Sequence, residues 1–384
     1  MKVYLLSLPY LVIFMMSAFL LYVAERIKNP IVKKVIVFFS LMFPIVLAAI
    51  RSPEIGTDVK YYAIPHYSQA LGCKTFSVFA HRFELSFTSE PLYAMILFIT
   101  TRLTRNYHAA LFVFQAITVG FTYLGFKRLK KQFDVPVWLG MTLYYLMYYN
   151  VSLNILRQSM AVAVVFYATT FLMEKQTLKY FFFMLIAFFL HSSAVIGFAF
   201  LPMYLMLKKT NNGLKFKDIR RIALFLVALM ATVVLLDKVV RIAVSLGVLK
   251  ASALNYLSDG RFGSSYLSVV SVFVYTVLIC AYVVHTQVLY HKKIEPNFFM
   301  MVSVVMFVCS FGSLISVYIS RVCYYFIPFQ AFALASVQNC YKKSSRLIWY
   351  TLVILFVLAT WFIFFVIKNN HMTCPYMIDP ELFA

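Results

Sequence analysis

The chain has 384 residues, of which 63% are hydrophobic and 12% are charged, and its formal net charge is +22. Soluble domains contain roughly 45–50% apolar and about 25% charged residues, so this composition excludes an ordinary soluble domain. The apolar residues form runs of membrane-spanning length from end to end, which predicts an all-α polytopic membrane protein.

Twelve apolar segments predict transmembrane helices. A further apolar segment, 89–104, is assigned to an interfacial or re-entrant helix on the outer face, because counting it as a span places the basic run KRLKK at 127–131 outside. Residues 178–207 are divided into two short spans at the polar HSS of 191–193; one very long helix is the alternative. In chain order the predicted spans are 3–24, 33–50, 107–125, 135–150, 155–173, 178–190, 194–207, 221–236, 265–284, 297–317, 322–338 and 347–367.

The basic residues indicate topology rather than nucleic-acid binding. With residue 1 outside, the six inside loops hold 21 of the 35 Lys and Arg but 5 of the 13 acids. Cytoplasmic loops of membrane proteins collect basic residues in this way. Both termini are therefore predicted outside, in a single transmembrane domain over 1–384 with outer-face loops at 51–106 and 237–264. The expected partners include a lipid bilayer and no nucleic acid.

Seven ionisable residues lie in or beside the predicted spans, and the topology places all of them on the outer side. Ionisable residues at membrane depth are costly and are by default candidates for function. Their common side predicts one outward-facing polar site. The seven are Arg51, Asp58, Glu90, Arg157, His191, Arg261 and Arg321.

Arg157 is predicted in the first turn of a helix that runs inward. Asn154 and Gln158 share its face, because residues three and four apart lie on one side of a helix. The positive end of the helix dipole and the guanidinium would then act together on an anion. The alternative is an interfacial arginine whose charged end reaches toward water.

Arg321 is predicted at the outer start of a second inward-running helix, with Tyr324 and Tyr325 one turn further on. Tyrosine is common at membrane interfaces, so the two rings alone indicate little. Arg51 ends the second span, where a structural arginine is equally expected. Arg261 belongs to a glycine-rich outer loop that is predicted to close over a substrate.

Three residues are candidates for proton transfer or for contacts with a phosphate. His191 stands in an apolar stretch, and histidine suits either proton transfer or hydrogen bonding to phosphate. Asp58 follows a Gly-Thr pair that favours a tight turn. Glu90 precedes Pro91, where helix capping and catalysis are equally open. No metal-ligand spacing and no nucleotide-binding loop is present, so no metal and no cofactor is predicted.

Five motifs stand in order along the chain: R-x4-GTD-x2-YY at 51–62, SEPLY at 89–93, LNILRQSMA at 153–161, HSSA at 191–194 and SRVCYYF at 320–326. As a set they resemble the EpsG-like family of polysaccharide polymerases, which is related to the Wzy O-antigen polymerases. Proteins of this kind are similar to GT-C-type glycosyltransferases, which work on polyprenyl-linked sugars at the outer face of the bacterial cytoplasmic membrane. The resemblance therefore implies a GT-C-like fold and an active site on the periplasmic side.

The resemblance implies that a growing glycan is transferred from undecaprenyl pyrophosphate to a hydroxyl of an incoming lipid-linked repeat unit, without metal and with inversion. Arg51, Arg157 and Arg321 are expected to bind pyrophosphate. Asp58 or His191 is expected to be the base, with Glu90 as third choice. Candidate substrate-binding residues are Thr57, Tyr61, Asn154, Gln158, Arg261, Tyr324 and Tyr325.

Three other functions remain open from the sequence. A ligase of similar fold would move finished glycan to a different acceptor, and a structural subunit of an export complex would tolerate point changes at Arg157 or Arg321. A lipid-linked glycan transporter or flippase would carry polar groups near the bilayer midplane, whereas here they gather at one face. A chain-length regulator is a candidate partner of a polymerase.

Overall fold

The computed structural model describes residues 7–84, 90–208, 235–246, 269–290, 295–313 and 317–382, with positions 220, 224, 227, 228 and 231. Within these residues the secondary structure is helical, apart from an isolated antiparallel bridge between Arg51 and Ile378. A helix satisfies its backbone polar groups within one segment, as a chain this apolar requires in lipid. The apolar helices confirm the prediction of an all-α membrane protein.

The chain divides into two compact units, Met1–Phe198 with Tyr341–Ala384 and Ala199–Cys340. The first unit contains eleven of the α-helices described here and most of the predicted site residues. They are α1 Leu8–Ala24, α2 Pro30–Ala49, α3 Ile64–Leu71, α4 Phe76–Arg82, α5 Pro91–Leu103, α6 His108–Phe133, α7 Val137–Tyr144, α8 Asn150–Asn154, α9 Leu156–Met173, α10 Thr177–Leu190 and, near the C-terminus, α17 Arg346–Trp361.

The second unit contains the described helices whose residues fall between the two segments of the first unit in the sequence. They are α11 Phe200–Lys208, α12 Leu236–Ser245, α13 Val269–Tyr290, α14 Glu295–Gly312, α15 Val317–Tyr324 and α16 Ile327–Ser336. The predicted span 221–236 lies mostly outside the described residues. The single transmembrane domain stays a prediction.

Four helical segments among the described residues are long and apolar enough to cross a membrane: Pro30–Ala49, His108–Phe133, Leu156–Met173 and Lys343–Ile367. Helix α5 has 13 residues, which rise about 20 Å and fall short of the roughly 30 Å hydrocarbon core. Helix α10 ends at Leu190, and a 3₁₀ segment follows at Ser192–Ala199, so the predicted break at 191–193 is present. The number of twelve spans and the side that faces outward stay predictions.

Two predicted spans are interrupted. The segment 135–150 consists of α7, a π-helical turn at Tyr145–Tyr149 and the start of α8, rather than one regular helix. The segment 322–338 begins in the last turn of α15, and α16 starts only at Ile327. Pro328 explains the second interruption, because a proline ring clashes with the carbonyl four residues earlier, at the end of α15.

The C-terminal residues pack against the end of α2 and the loop that follows it. After α17 the chain reverses, and its C-terminal tail, residues 372–379, runs beside residues 47–56. The sequence patterns predicted no role for this tail. His108 helps to fasten it, with Nε2 3.0 Å from Oδ2 of Asp379 and Nδ1 2.6 Å from the carbonyl oxygen of Ala49. Four hydrogen bonds complete the contact: Tyr376 Oη to Leu47 O (2.7 Å), Asp379 N to Ile50 O (3.0 Å), Ser52 N to Met377 O (2.9 Å) and Gly56 N to Met372 O (2.9 Å).

Gly56 is required where the loop passes the end of α8. Its φ is +77°, and a Cβ atom there would stand 2.5 Å from the carbonyl oxygen of Leu153. Gly56→Ala is therefore expected to lower the melting temperature by about 2–6 °C, measured by scanning fluorimetry in detergent.

Gly72→Ala is the matched control for this substitution. Gly72 has a φ of −73°, and the nearest atoms to an added Cβ are at 3.7 Å. Equal melting temperatures for the two alanine variants would contradict the requirement for glycine at position 56.

Candidate active site

Arg51 is completely buried, and backbone carbonyl groups accept the hydrogen bonds of its guanidinium. Nε donates to Ile55 O at 3.2 Å, Nη2 donates to Leu153 O at 3.1 Å, and Nη1 donates to Ala48 O. A buried charge needs such partners, because an uncompensated one is very costly. These contacts favour a structural role, in which Arg51 holds the turn after α2 against the end of α8.

Asp58 lies at the N-terminus of α9. Its Oδ2 accepts a hydrogen bond from the backbone N–H of Leu156 at 3.1 Å. The first N–H groups of a helix have no partner inside the helix, so a carboxylate there both caps them and interacts favourably with the dipole. The sequence predicted a substrate anion at this helix end, whereas the structure places the protein's own carboxylate there.

Asn154 joins the loop of residues 51–58 to the C-terminal tail. Its Oδ1 accepts hydrogen bonds from both N and Oγ1 of Thr57, each at 2.7 Å, and its Nδ2 lies 3.0 Å from Nδ1 of His371. Thr57 and Asn154 were predicted to bind substrate. Their mutual contacts fix the loop on which Asp58 is carried, and substrate binding by them stays a prediction.

Arg157 forms the centre of the cluster. Its Nη1 donates to Oε2 of Glu90 at 2.6 Å, and its guanidinium lies over the rings of Tyr62 and Tyr93, 4.8 and 5.4 Å from their centroids. Asp58 is also close enough to interact with it electrostatically. The two rings and the ion pair hold the guanidinium at a fixed position, with about a quarter of the side chain exposed (23%).

Glu90 has a strained backbone and a buried carboxylate. Its φ and ψ are 62° and 59°, although a residue before proline is normally pushed toward extended conformations. Such left-handed conformations cost about 1–3 kcal/mol outside glycine and cluster at functional sites. The residue is 8% exposed, and its two carboxylate oxygens face different partners, Oε2 facing Arg157 and Oε1 facing His191.

His191 follows the last residue of α10 and points its ring toward Glu90. Its Nδ1 lies 3.1 Å from the backbone nitrogen of Ser193 and 2.8 Å from Oγ of the same residue. A backbone N–H only donates, so Nδ1 accepts, and the proton of the neutral ring is on Nε2. Nε2 lies 3.5 Å from Oε1 of Glu90. In this arrangement His191 offers an N–H to the carboxylate and no lone pair on the side that faces the cluster.

His66 is a neighbour of the cluster that no sequence pattern indicated. Its Nδ1 lies 3.3 Å from Oη of Tyr93, and its ring lies beside those of Tyr62 and Phe83. Burial is the main cause that lowers the pKa of His66 to about 4, and the positive charge of Arg157 is the second. A histidine in a polar loop carries no local signal of such a position, which only the fold reveals.

The pKa of His66 supplies a direct test of its position. We expect its ring to stay neutral from pH 8 to pH 5, and Arg157→Gln to raise its pKa, since a positive neighbour disfavours the imidazolium. Because the unfolded chain binds this proton at about pH 6.5, the free energy of unfolding should fall as pH is lowered from about 6.5 to about 4. NMR titration of ring-labelled histidines, with His66→Gln for assignment, measures the pKa. A wild-type pKa near 6.5 would contradict this placement.

The other predicted residues differ in exposure and in helix position. Tyr61 is 65% exposed and Gln158 is buried. In the second unit, Arg321 lies in the last turn of α15 and not at a helix start, and Tyr324 and Tyr325 are buried. The prediction for Arg321 was wrong about its helix position because the interruption before Pro328 went unrecognised. Arg261 lies outside the described residues.

The structure thus brings together Asp58, Glu90, Arg157 and His191 within the first unit, from positions far apart in the chain. Among the described residues, no group of three or more His, Cys, Asp and Glu side chains has the arrangement of a metal site. The model of the EpsG family matches residues 34–378, a range that includes all four cluster residues. No curated protein and no solved structure matches the chain.

Proposed function

The chain belongs to the EpsG family, and on that premise we propose that it is a polysaccharide polymerase that lengthens a glycan carried on undecaprenyl pyrophosphate. EpsG-like proteins are polymerases of the Wzy type, so family membership indicates a role in exopolysaccharide or O-antigen synthesis. The observation that carries the site assignment is the contact of Arg157 with Glu90, two residues 67 positions apart whose charges meet in a nearly buried cluster.

The proposed reaction is a direct displacement at the anomeric carbon of the donor glycan. The acceptor hydroxyl oxygen forms the new bond to that carbon while the bond from carbon to the pyrophosphate oxygen breaks. The bonding electron pair leaves with undecaprenyl pyrophosphate, and the hydroxyl proton passes to a carboxylate of the enzyme. One displacement with one base inverts the anomeric centre. Because pyrophosphate leaves readily, the protein mainly supplies position and charge.

Glu90 is the base that the geometry favours. Asp58 caps α9 through Leu156 N, and His191 directs its ring proton into the cluster. Glu90 is the carboxylate that both Arg157 and His191 face. The order of candidates derived from the sequence, in which Glu90 came third, is therefore reversed in this proposal. His191 becomes the residue that positions Glu90, and Arg157 the residue that binds pyrophosphate.

We place the reaction at the outer face of the bacterial cytoplasmic membrane, with lipid-linked oligosaccharides as both donor and acceptor. The excess of basic residues in the six inside loops supports this orientation. A GT-C-like class and a chain-length regulator as partner belong to the same proposal. The proposal keeps Arg321 as a pyrophosphate-binding residue and drops Arg51, because the guanidinium of Arg51 is committed to backbone carbonyls.

The test is polymer formation by the purified protein in nanodiscs, supplied with a synthetic undecaprenyl-pyrophosphate repeat unit. A ladder of products that differ by one repeat unit is expected, with and without a chelator. Transfer of one glycan to a different acceptor would identify a ligase. Movement of the substrate across a vesicle membrane with no new bond would identify a transporter. A ladder that disappears with chelator would contradict the metal-independent mechanism.

A further inference from the structure

The charges of the cluster do not suit an incoming anion as they stand. Arg157 contributes one positive charge, whereas Glu90 and Asp58 both lie close enough to interact with it electrostatically. The Nη1 donor of Arg157 is engaged by Glu90 at 2.6 Å. A pyrophosphate that arrived at this guanidinium would meet a carboxylate already bound to it, and like charges in one site repel.

The contact with Arg157 also engages Glu90, the proposed base. A carboxylate oxygen that accepts a charge-assisted hydrogen bond from a guanidinium has less affinity for a proton, because the charged form is stabilised. Glu90 is thus poorly suited to take a proton while Arg157 holds Oε2. In the arrangement described here, each charged group therefore hinders the task proposed for the other.

We propose that Glu90 and the pyrophosphate of the lipid-linked substrate compete for Arg157, so that binding of the substrate releases Glu90 to act as the base. This inference rests on the proposed function and adds to it the regulation of the site. The base becomes available when the leaving group is in place, and the enzyme is restrained when no lipid-linked substrate is bound.

The surroundings of both groups suit such an exchange. Arg157 is held from the sides by the rings of Tyr62 and Tyr93, contacts that do not depend on Glu90. An arginine fork can accept two phosphate oxygens in place of a carboxylate, so the exchange replaces one charge-assisted contact by another. Glu90 in turn keeps a neighbour, because Nε2 of His191 faces its other oxygen at 3.5 Å.

The experiment measures the dissociation constant of undecaprenyl pyrophosphate, the product, for full-length protein in nanodiscs. Glu90→Gln is expected to bind it about fivefold or more tightly than wild type, because the competing carboxylate is gone. Arg157→Gln is expected to bind it more weakly. In the Arg157→Gln background, the further change Glu90→Gln should have no effect on affinity.

Two additional variants test whether the effect on affinity is specific to the carboxylate of Glu90. Asp58→Asn removes a second nearby carboxylate and keeps an oxygen that can cap α9, so it should tighten binding less than Glu90→Gln does. Glu90→Asp withdraws the carboxylate from Arg157 by one methylene and should also tighten binding, which provides a second test if Glu90→Gln does not fold.

The outcomes separate the inference from the proposed function. Wild-type affinity or weaker binding in both Glu90 variants would overturn the competition. Tightening that persists in the Arg157→Gln background would also overturn it, since it would reflect general charge repulsion. If wild-type protein makes a polymer ladder and the variants give either of these results, the proposed function is retained and this inference alone is lost. No binding of undecaprenyl pyrophosphate by wild type would contradict both.

Discussion

Arg157→Gln is expected to lower the initial rate of polymer formation by about 10²–10³-fold, the loss typical when one preorganised donor to a developing anion is removed. Glutamine keeps some length and polarity but has neither the positive charge nor the forked donors that match phosphate oxygens. The substitution also removes the donor that now contacts Oε2 of Glu90. The measurement is the rate of ladder formation from the synthetic lipid-linked repeat unit, per mole of monodisperse protein.

Arg102→Gln is the matched control for this loss. The guanidinium of Arg102 also lies over an aromatic ring, 4.5 Å from the centroid of Phe98, and it donates to the carbonyl of Ala70 at 3.0 Å. It has no described carboxylate partner among its hydrogen bonds, so its replacement should leave the rate near that of wild type. A similar loss in both variants would show that the effect of Arg157→Gln reflects packing and not pyrophosphate binding.

The membrane class and the main polar residues were predictable because their signals are local. An apolar run with few charges specifies a helix in lipid whatever its neighbours are. The break at His191 follows from one polar triplet in an apolar stretch. Glu90 and Arg157 were singled out by the cost of placing an ionisable group at membrane depth, a cost that is visible in the sequence itself.

The partners of these residues were not predictable, because they are set by contacts between distant positions. Nothing near Asp58 indicates that it caps a helix beginning at Leu156, and nothing near His371 indicates that it contacts Asn154. The tail that covers residues 47–56 lacks the apolar periodicity by which helices are found. The partners of Asp58 and Asn154 are therefore known only from the structure, whereas the substrate roles of the selected residues stay predictions.

Arg51 illustrates how a correct signal led to an assignment that the fold does not favour. A charged residue at the end of a span predicts either function or a structural contact, and the sequence offers no means to choose. Its three donors all reach backbone carbonyls, which a turn without regular structure leaves in need of partners. An arginine that satisfies such groups stabilises the loop that carries Asp58.

Glu90→Gln is expected to lower the turnover number by about 10²–10⁴-fold, the usual loss on removing a general base. Glutamine has the same shape and can still accept a hydrogen bond from Arg157, so the substitution removes proton affinity with little change in packing. Its apparent affinity for the donor should not fall, because the pyrophosphate contact belongs to Arg157. Rates of ladder formation at saturating substrate measure the loss.

Glu54→Gln is the control for the loss of a carboxylate, taken from the loop that carries Asp58. Glu54 pairs with Lys60 at 2.8 Å on the exposed surface, where such pairs contribute little, so this variant should polymerise at the wild-type rate. Glu90→Ala provides a second readout, since formate that enters the space left by the side chain should restore part of the activity if a carboxylate base is all that is missing. A full rate in Glu90→Gln, together with a large loss in Asp58→Asn, would transfer the role of base to Asp58. Loss in Glu90→Ala without any rescue by formate, in protein that remains folded, would reduce Glu90 to a partner that only positions Arg157.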